Sequence, residues 1–124
     1  LPHDALLVAF GGGVHPSRDL GTPFKAVDVV AVMNTPGAFG DYSYPIKLYE
    51  AMACGRPVVA SRTASTAWIL RDHPQRLVPP GDSGALADAL LRALRENAVD
   101  YGRLPTWHEG ADALEAAMLR LGAG

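Results

Sequence analysis

Short, uninterrupted apolar runs alternate along the chain with longer segments whose apolar residues recur every three or four positions. Residues 5–10 are wholly apolar and stop at Gly11, Gly12 and Gly13, a pattern that predicts a strand buried on both faces and ended by a glycine turn. Residues 28–33 repeat the pattern with β-branched valines, and residues 57–61 supply a third such run. A brief strand is expected at 76–78, before the turn formed by Pro79, Pro80 and Gly81. Between these runs the period changes. Pro45 sits where a first helical residue is favoured, and Ile46, Leu48, Tyr49, Met52 and Ala53 keep helical spacing up to Gly55, which predicts a helix over 45–54. A second helix is expected over 65–71. A third starts at a cap supplied by Asp82 or Ser83 and buries Leu86, Leu90 and Leu94; the last covers 107–121, with Leu114, Met118 and Leu121 on one stripe. Residues 34–44, where Pro36, Gly37 and Gly40 lie among polar and aromatic residues, read as a loop, and residues 122–124 as a frayed tail. The alternation of strand and helix predicts an α/β domain, a parallel sheet with helices on its faces.

The 124 residues, 48% of them apolar, are enough for one core and too few for two, so residues 1–124 read as a single domain. Eleven Lys and Arg stand against 13 Asp and Glu, for a formal charge of −2 with no block of one sign. That balance argues against nucleic acid or an acidic membrane as the main partner. No apolar run exceeds the six residues of 5–10, whereas a bilayer-spanning helix needs about 20. Residues 1–30 contain no basic start followed by an apolar stretch and a cleavage site. Cys54 is the single cysteine, which excludes an intrachain disulfide and a zinc site of paired thiolates. A reducing, cytoplasmic setting is expected, with peripheral attachment to the inner face of the membrane left open. His3, His15, His73 and His108 are scattered without metal-ligand spacing, so no protein-held metal is expected.

In an open parallel sheet, ligands bind beyond the carboxyl ends of the strands, where a loop runs into a helix. Residues 34–44 are such a loop. A helix opening at Pro45 would offer main-chain N–H groups near Ile46, Lys47 and Leu48 and the positive end of a dipole, a site for phosphate. Glu50, between one and two turns further in, could accept hydrogen bonds from a pair of ribose hydroxyls. Together these features would hold a nucleoside diphosphate. Each residue also has a plainer reading. Glu50 and Lys47 could form an i, i+3 ion pair worth about 0.2–0.5 kcal/mol, Gly11 to Gly13 a simple turn, and Cys54 a small apolar contact. Trp107 could anchor the last helix to a neighbouring domain or fill a gap in the core.

The run from Tyr44 to Ser61, Tyr-Pro-Ile-Lys-Leu-Tyr-Glu-Ala-Met-Ala-Cys-Gly-Arg-Pro-Val-Val-Ala-Ser, and the later residues Leu77 to Asp82 resemble the C-terminal donor-binding domain of the group 1 glycosyltransferases, retaining enzymes built from two Rossmann-like domains. The likeness extends over about residues 28–97, and the helix from Trp107 resembles the family's terminal segment. It implies a Rossmann-like sheet and a chain that corresponds to the C-terminal half, with an N-terminal Rossmann-like acceptor domain as its partner. Glu50 then corresponds to the glutamate that binds the ribose of a UDP, GDP or ADP sugar, and the backbone of Ser43, Tyr44, Pro45 and Ile46 holds the pyrophosphate. Lys47 would reach a phosphate oxygen. No cofactor is implied. Where the family commonly has an earlier glutamate, eight positions before the second, this chain has Tyr42; a subgroup with the pattern of Pro45, Lys47 and Glu50 lacks it too. The function implied is glycosyl transfer to an acceptor hydroxyl with retention, the isolated domain being inactive. The alternatives are a sugar-nucleotide epimerase of the same fold and a non-catalytic α/β binding module.

Overall fold

The computed structural model describes residues 24–123, so the strand expected at 5–10 and its glycine turn lie outside the described residues. Three parallel strands, β1 (Val30–Val32), β2 (Val58–Ser61) and β3 (Leu77–Val78), lie side by side in that order. The register pairs Val30 with Val58 and Ala60 with Leu77. Among the described residues these helices accompany them: α1 (Ala38–Tyr42), α2 (Ile46–Ala53), α3 (Ala64–Ile69), α4 (Ser83–Ala93) and α5 (Trp107–Gly122).

β2 is buried along its whole length, and its alternating side chains divide the core in two. Val58 and Ala60 pack with Leu48, Ala51 and Met52 of α2 and with Ile69 and Leu70 at the end of α3. Val59 faces the other way, onto Val78 and the alanines Ala89 and Ala93 of α4. Two successive parallel steps in one direction place their crossover helices on the same face when both crossovers have the same hand, and α2 and α3 do share a face. The result is the parallel α/β arrangement that the strand–helix alternation predicts, Rossmann-like as the family resemblance implies.

Several boundaries move for identifiable reasons. Pro45 is the residue before α2 rather than its first member, because its ψ of 92° is extended. The expected strand at 76–78 loses Arg76 to a 3₁₀ turn over Pro74–Arg76. Asp82, rather than Ser83, caps α4 by accepting a hydrogen bond from the Ala85 N–H at 2.8 Å. On α4 the small residues Ala89 and Ala93 carry the burial, while Leu86 and Leu90 flank them and Leu94 is exposed, so the stripe expected there is shifted by one position. α5 begins after Thr106, whose hydroxyl and Glu109 form a reciprocal capping box, and none of its residues is buried among those described.

The connector after α4 is tied back to the sheet. The Tyr101 hydroxyl donates to the Arg56 carbonyl at 2.8 Å and accepts from the Val58 N–H at 3.1 Å, while the Val99 N–H bonds to the Gly55 carbonyl at 2.9 Å. Arg76, nearly buried, holds Glu96 through two hydrogen bonds and lies over the Tyr101 ring. Burial pushes the Tyr101 phenol above its ordinary pKa, with Arg76 acting against the shift. Replacing Tyr101 by phenylalanine strands one donor and one acceptor at the start of β2. Urea denaturation of Tyr101→Phe is expected to give a lower midpoint at unchanged slope, a loss of about 1–2 kcal/mol.

Candidate functional site

The carboxyl ends of β1 and β2 are pinned together by one side chain. The Ser61 hydroxyl donates to the Asn34 carbonyl at 2.9 Å and accepts from the Asn34 N–H at 2.7 Å. The Thr66 hydroxyl in turn donates to the Ser61 carbonyl at 2.6 Å. This clamp fixes the direction in which the chain leaves β1. Sequence reading did not single out Asn34 or Ser61, although a serine closing a buried strand is a polar group that must find a partner.

The segment beyond is not the plain loop expected over 34–44, because Ala38–Tyr42 form the short helix α1. Gly37 enters it at φ 137°, a conformation glycine tolerates, and its N–H is held by the Asp41 carboxylate at 3.3 Å. Gly40 is buried where a Cβ would overlap the Thr35 carbonyl oxygen. α1 packs on α3, and the Ser65 hydroxyl donates to the Asp41 carbonyl. Glycine and proline there read as a loop because the contacts that make the helix are tertiary. A methyl group at Gly40 meets backbone that cannot rotate away. Gly40→Ala is therefore expected to destabilise the fold by about 1–3 kcal/mol, measured by denaturation, and to increase proteolytic cutting within 34–44.

The predicted site residues follow directly. The Ser43 N–H bonds to the Phe39 carbonyl, ending α1, and Tyr44 and Pro45 lead into α2. The Leu48 N–H is taken by the Pro45 carbonyl at 3.0 Å, so the donors left at the helix start are those of Ile46 and Lys47, not the trio ending at Leu48. No side chain caps that end. Leu48, Ala51 and Met52 bury one side of α2, which leaves Lys47 and Glu50 on its outer part. Lys47 is exposed and Glu50 half-buried. The ion pairs among the described residues are Arg76 with Glu96, Arg103 with Glu109 and His108 with Asp112, so the i, i+3 pairing of Lys47 with Glu50 is not formed. The Glu50 carboxylate has no hydrogen-bond partner among them either. Four residues of helix separate Ile46 from Glu50, about 6 Å along the axis, which places a free carboxylate one turn behind free N–H donors.

The Tyr44 side chain turns away from this arrangement. Its hydroxyl is 2.8 Å from that of Tyr49, and the rings lie 5.9 Å apart. Burial, followed by the Tyr44 hydrogen bond, pushes the Tyr49 phenol up to about 12, so Tyr49 is neutral at physiological pH. Cys54 is a free, half-buried thiol at the end of α2. Among the described residues no group of three His, Cys, Asp or Glu side chains comes together, and no helix is long and apolar enough to cross a membrane.

A parallel α/β sheet with an uncapped helix start and, among the described residues, an unpaired acid at its carboxyl edge has the architecture of a Rossmann-like domain. The family model described as "Glycosyl transferases group 1" matches residues 4–96, and the chain belongs to that family. It is 46% identical over 74 residues to a phosphatidyl-myo-inositol mannosyltransferase of Mycobacterium leprae, a match covering 59% of this chain and 19% of that protein. It is 37% identical over 109 residues to a D-inositol 3-phosphate glycosyltransferase of Mycolicibacterium vanbaalenii, covering 81% and 23%. The corresponding enzyme of Saccharomonospora viridis is 34% identical over 107 residues, covering 78% and 24%. The chain thus spans about a fifth to a quarter of the length of these relatives. No solved structure matches it. α5 lies beyond the residues that the family model matches.

Proposed function

We propose that these 124 residues form the donor-binding, C-terminal half of a two-domain retaining glycosyltransferase, with an N-terminal Rossmann-like domain as partner. The observation that carries the reading is the half-buried Glu50 carboxylate, unpaired among the described residues, one turn behind the open start of α2. In this assignment Glu50 accepts hydrogen bonds from the two ribose hydroxyls of a UDP, GDP or ADP sugar. The N–H groups of Ile46 and Lys47 meet the diphosphate, and the turn through Ser43, Tyr44 and Pro45 shapes its approach. Lys47, exposed and without an ion pair among the described residues, adds its charge to a phosphate oxygen.

The bond from the anomeric carbon to the phosphate oxygen breaks with its electron pair passing to the diphosphate. The acceptor oxygen bonds to that carbon from the same face, and the acceptor's proton passes to the departing phosphate. The protein's main contribution is a fixed positive field where the leaving group gains charge. The names of the relatives point to an inositol-containing acceptor, which in this reading is held by residues outside these 124.

Incubating the two-domain protein, these residues joined to the proposed N-terminal domain, with each nucleotide sugar and inositol 3-phosphate or phosphatidylinositol is expected to yield a glycoside with the donor's anomeric configuration, read by NMR. Folded protein that transfers nothing from any donor, or returns an epimerised nucleotide sugar, overturns the reading.

A further inference from the structure

Between the outer sides of α2 and α3 and the connector leading into α5 lies a cleft of about 570 Å³, within the size range of small-molecule sites. Tyr44, Tyr49, Trp68 and Tyr101 put four aromatic rings on its walls, beside the His73 imidazole, in a chain with only 7% Phe, Trp and Tyr. That concentration is a feature of the site and not of the composition. Met52, Ile69 and Leu104 give it an apolar floor.

Its charged residues are Arg71, Asp72, Arg103 and Glu109, two of each sign. Both guanidinium groups are engaged. Arg103 is held by Glu109, while Arg71 lies 4.6 Å from the Trp68 ring centroid and donates to the Trp68 carbonyl at 2.9 Å. Asp72 has no partner among the described residues, and it repels an anion. A phosphate or nucleotide therefore finds neither a free cation nor a favourable field here. A cation meets Asp72 but also its neighbour Arg71. What remains is an uncharged ligand with flat C–H faces and many hydroxyls. The indole of Trp68, 61% exposed, and the tyrosine rings suit the faces; the Asp72 carboxylate and the Tyr44–Tyr49 hydroxyl pair suit the hydroxyls.

We propose that this cleft is a second carbohydrate site, taking a neutral mono- or disaccharide, separate from the position of Glu50. Tyr44 belongs to the turn entering α2, but its ring faces the cleft, so the two sites share a wall.

Saturation-transfer NMR on the full chain, with maltose and mannobiose as probes, tests this. Transfer to the sugar ring protons is expected, with saturating binding. Trp68→Ala and Asp72→Asn, at positions exposed enough to leave the fold intact, are each expected to weaken it about tenfold. Glu50→Ala and an excess of UDP, GDP or ADP are expected to leave it unchanged. The proposal is overturned if the folded chain transfers nothing to either sugar, or if Trp68→Ala has no effect. It is equally overturned if nucleotide or Glu50→Ala removes the signal, since the sugar would then sit at the donor site. Absence of nucleotide binding with sugar binding retained would sink the donor-site reading alone.

Discussion

Glu50→Ala is expected to weaken nucleoside diphosphate binding about a hundredfold while leaving the fold intact. The carboxylate is half-buried and bonded to nothing among the described residues, so its removal strands no partner inside the protein. Stability should change by no more than about 0.5 kcal/mol. A pair of charge-assisted hydrogen bonds to ribose hydroxyls, at about 1.5 kcal/mol each, amounts to about 3 kcal/mol, or roughly two orders of magnitude in Kd. Glu50→Gln keeps the shape and one acceptor and should lie between the two, about tenfold weaker than the native chain. Calorimetric titration reads all three proteins. An alanine variant that binds as tightly as the parent would return Glu50 to the status of a solvated helix residue.

Leu48→Ala should have the largest effect on stability. Leu48 is fully buried, two residues before Glu50, in the cluster that joins α2 to Val58 and Ala60 of β2. Truncating such a side chain costs about 2–5 kcal/mol in lost burial and residual cavity. Against a typical total of about 5–15 kcal/mol that is a large fraction. The midpoint of thermal unfolding should fall by on the order of 10 °C. Lys47→Ala, one residue away but exposed, should leave the midpoint nearly unchanged. Equal effects of the two substitutions would mean that α2 does not seat on the sheet through this face.

The parts of the fold legible in the sequence are those where one physical signal dominates. β2 is readable because three consecutive apolar residues, Val58, Val59 and Ala60, follow a proline between two helical patterns. α2 is readable from its spacing, which also places Glu50 one turn behind the helix start. α1 was not, since its composition is that of a loop and its helix depends on Gly40 meeting Thr35 and on Ser65 reaching Asp41, contacts that no local pattern records. The Ser61–Asn34 clamp spans 27 residues and was invisible for the same reason. The leucine stripe of α4 was misplaced because alanines approach a sheet more closely than leucines, so Ala89 and Ala93 take the inner positions. Tyr44 was assigned to the phosphate turn by its position in the chain; its side chain belongs to a different surface.

The central claim is that the entry to α2 and Glu50 together receive a nucleoside diphosphate. Amide chemical-shift mapping of the isotope-labelled full chain during titration with UDP, GDP and ADP tests it most directly. One nucleotide is predicted to shift the Tyr44, Ile46 and Lys47 amides most strongly and saturably, with smaller changes around Glu50. Shifts absent from residues 43–50 with every nucleotide, or confined to α4 and α5, would contradict it.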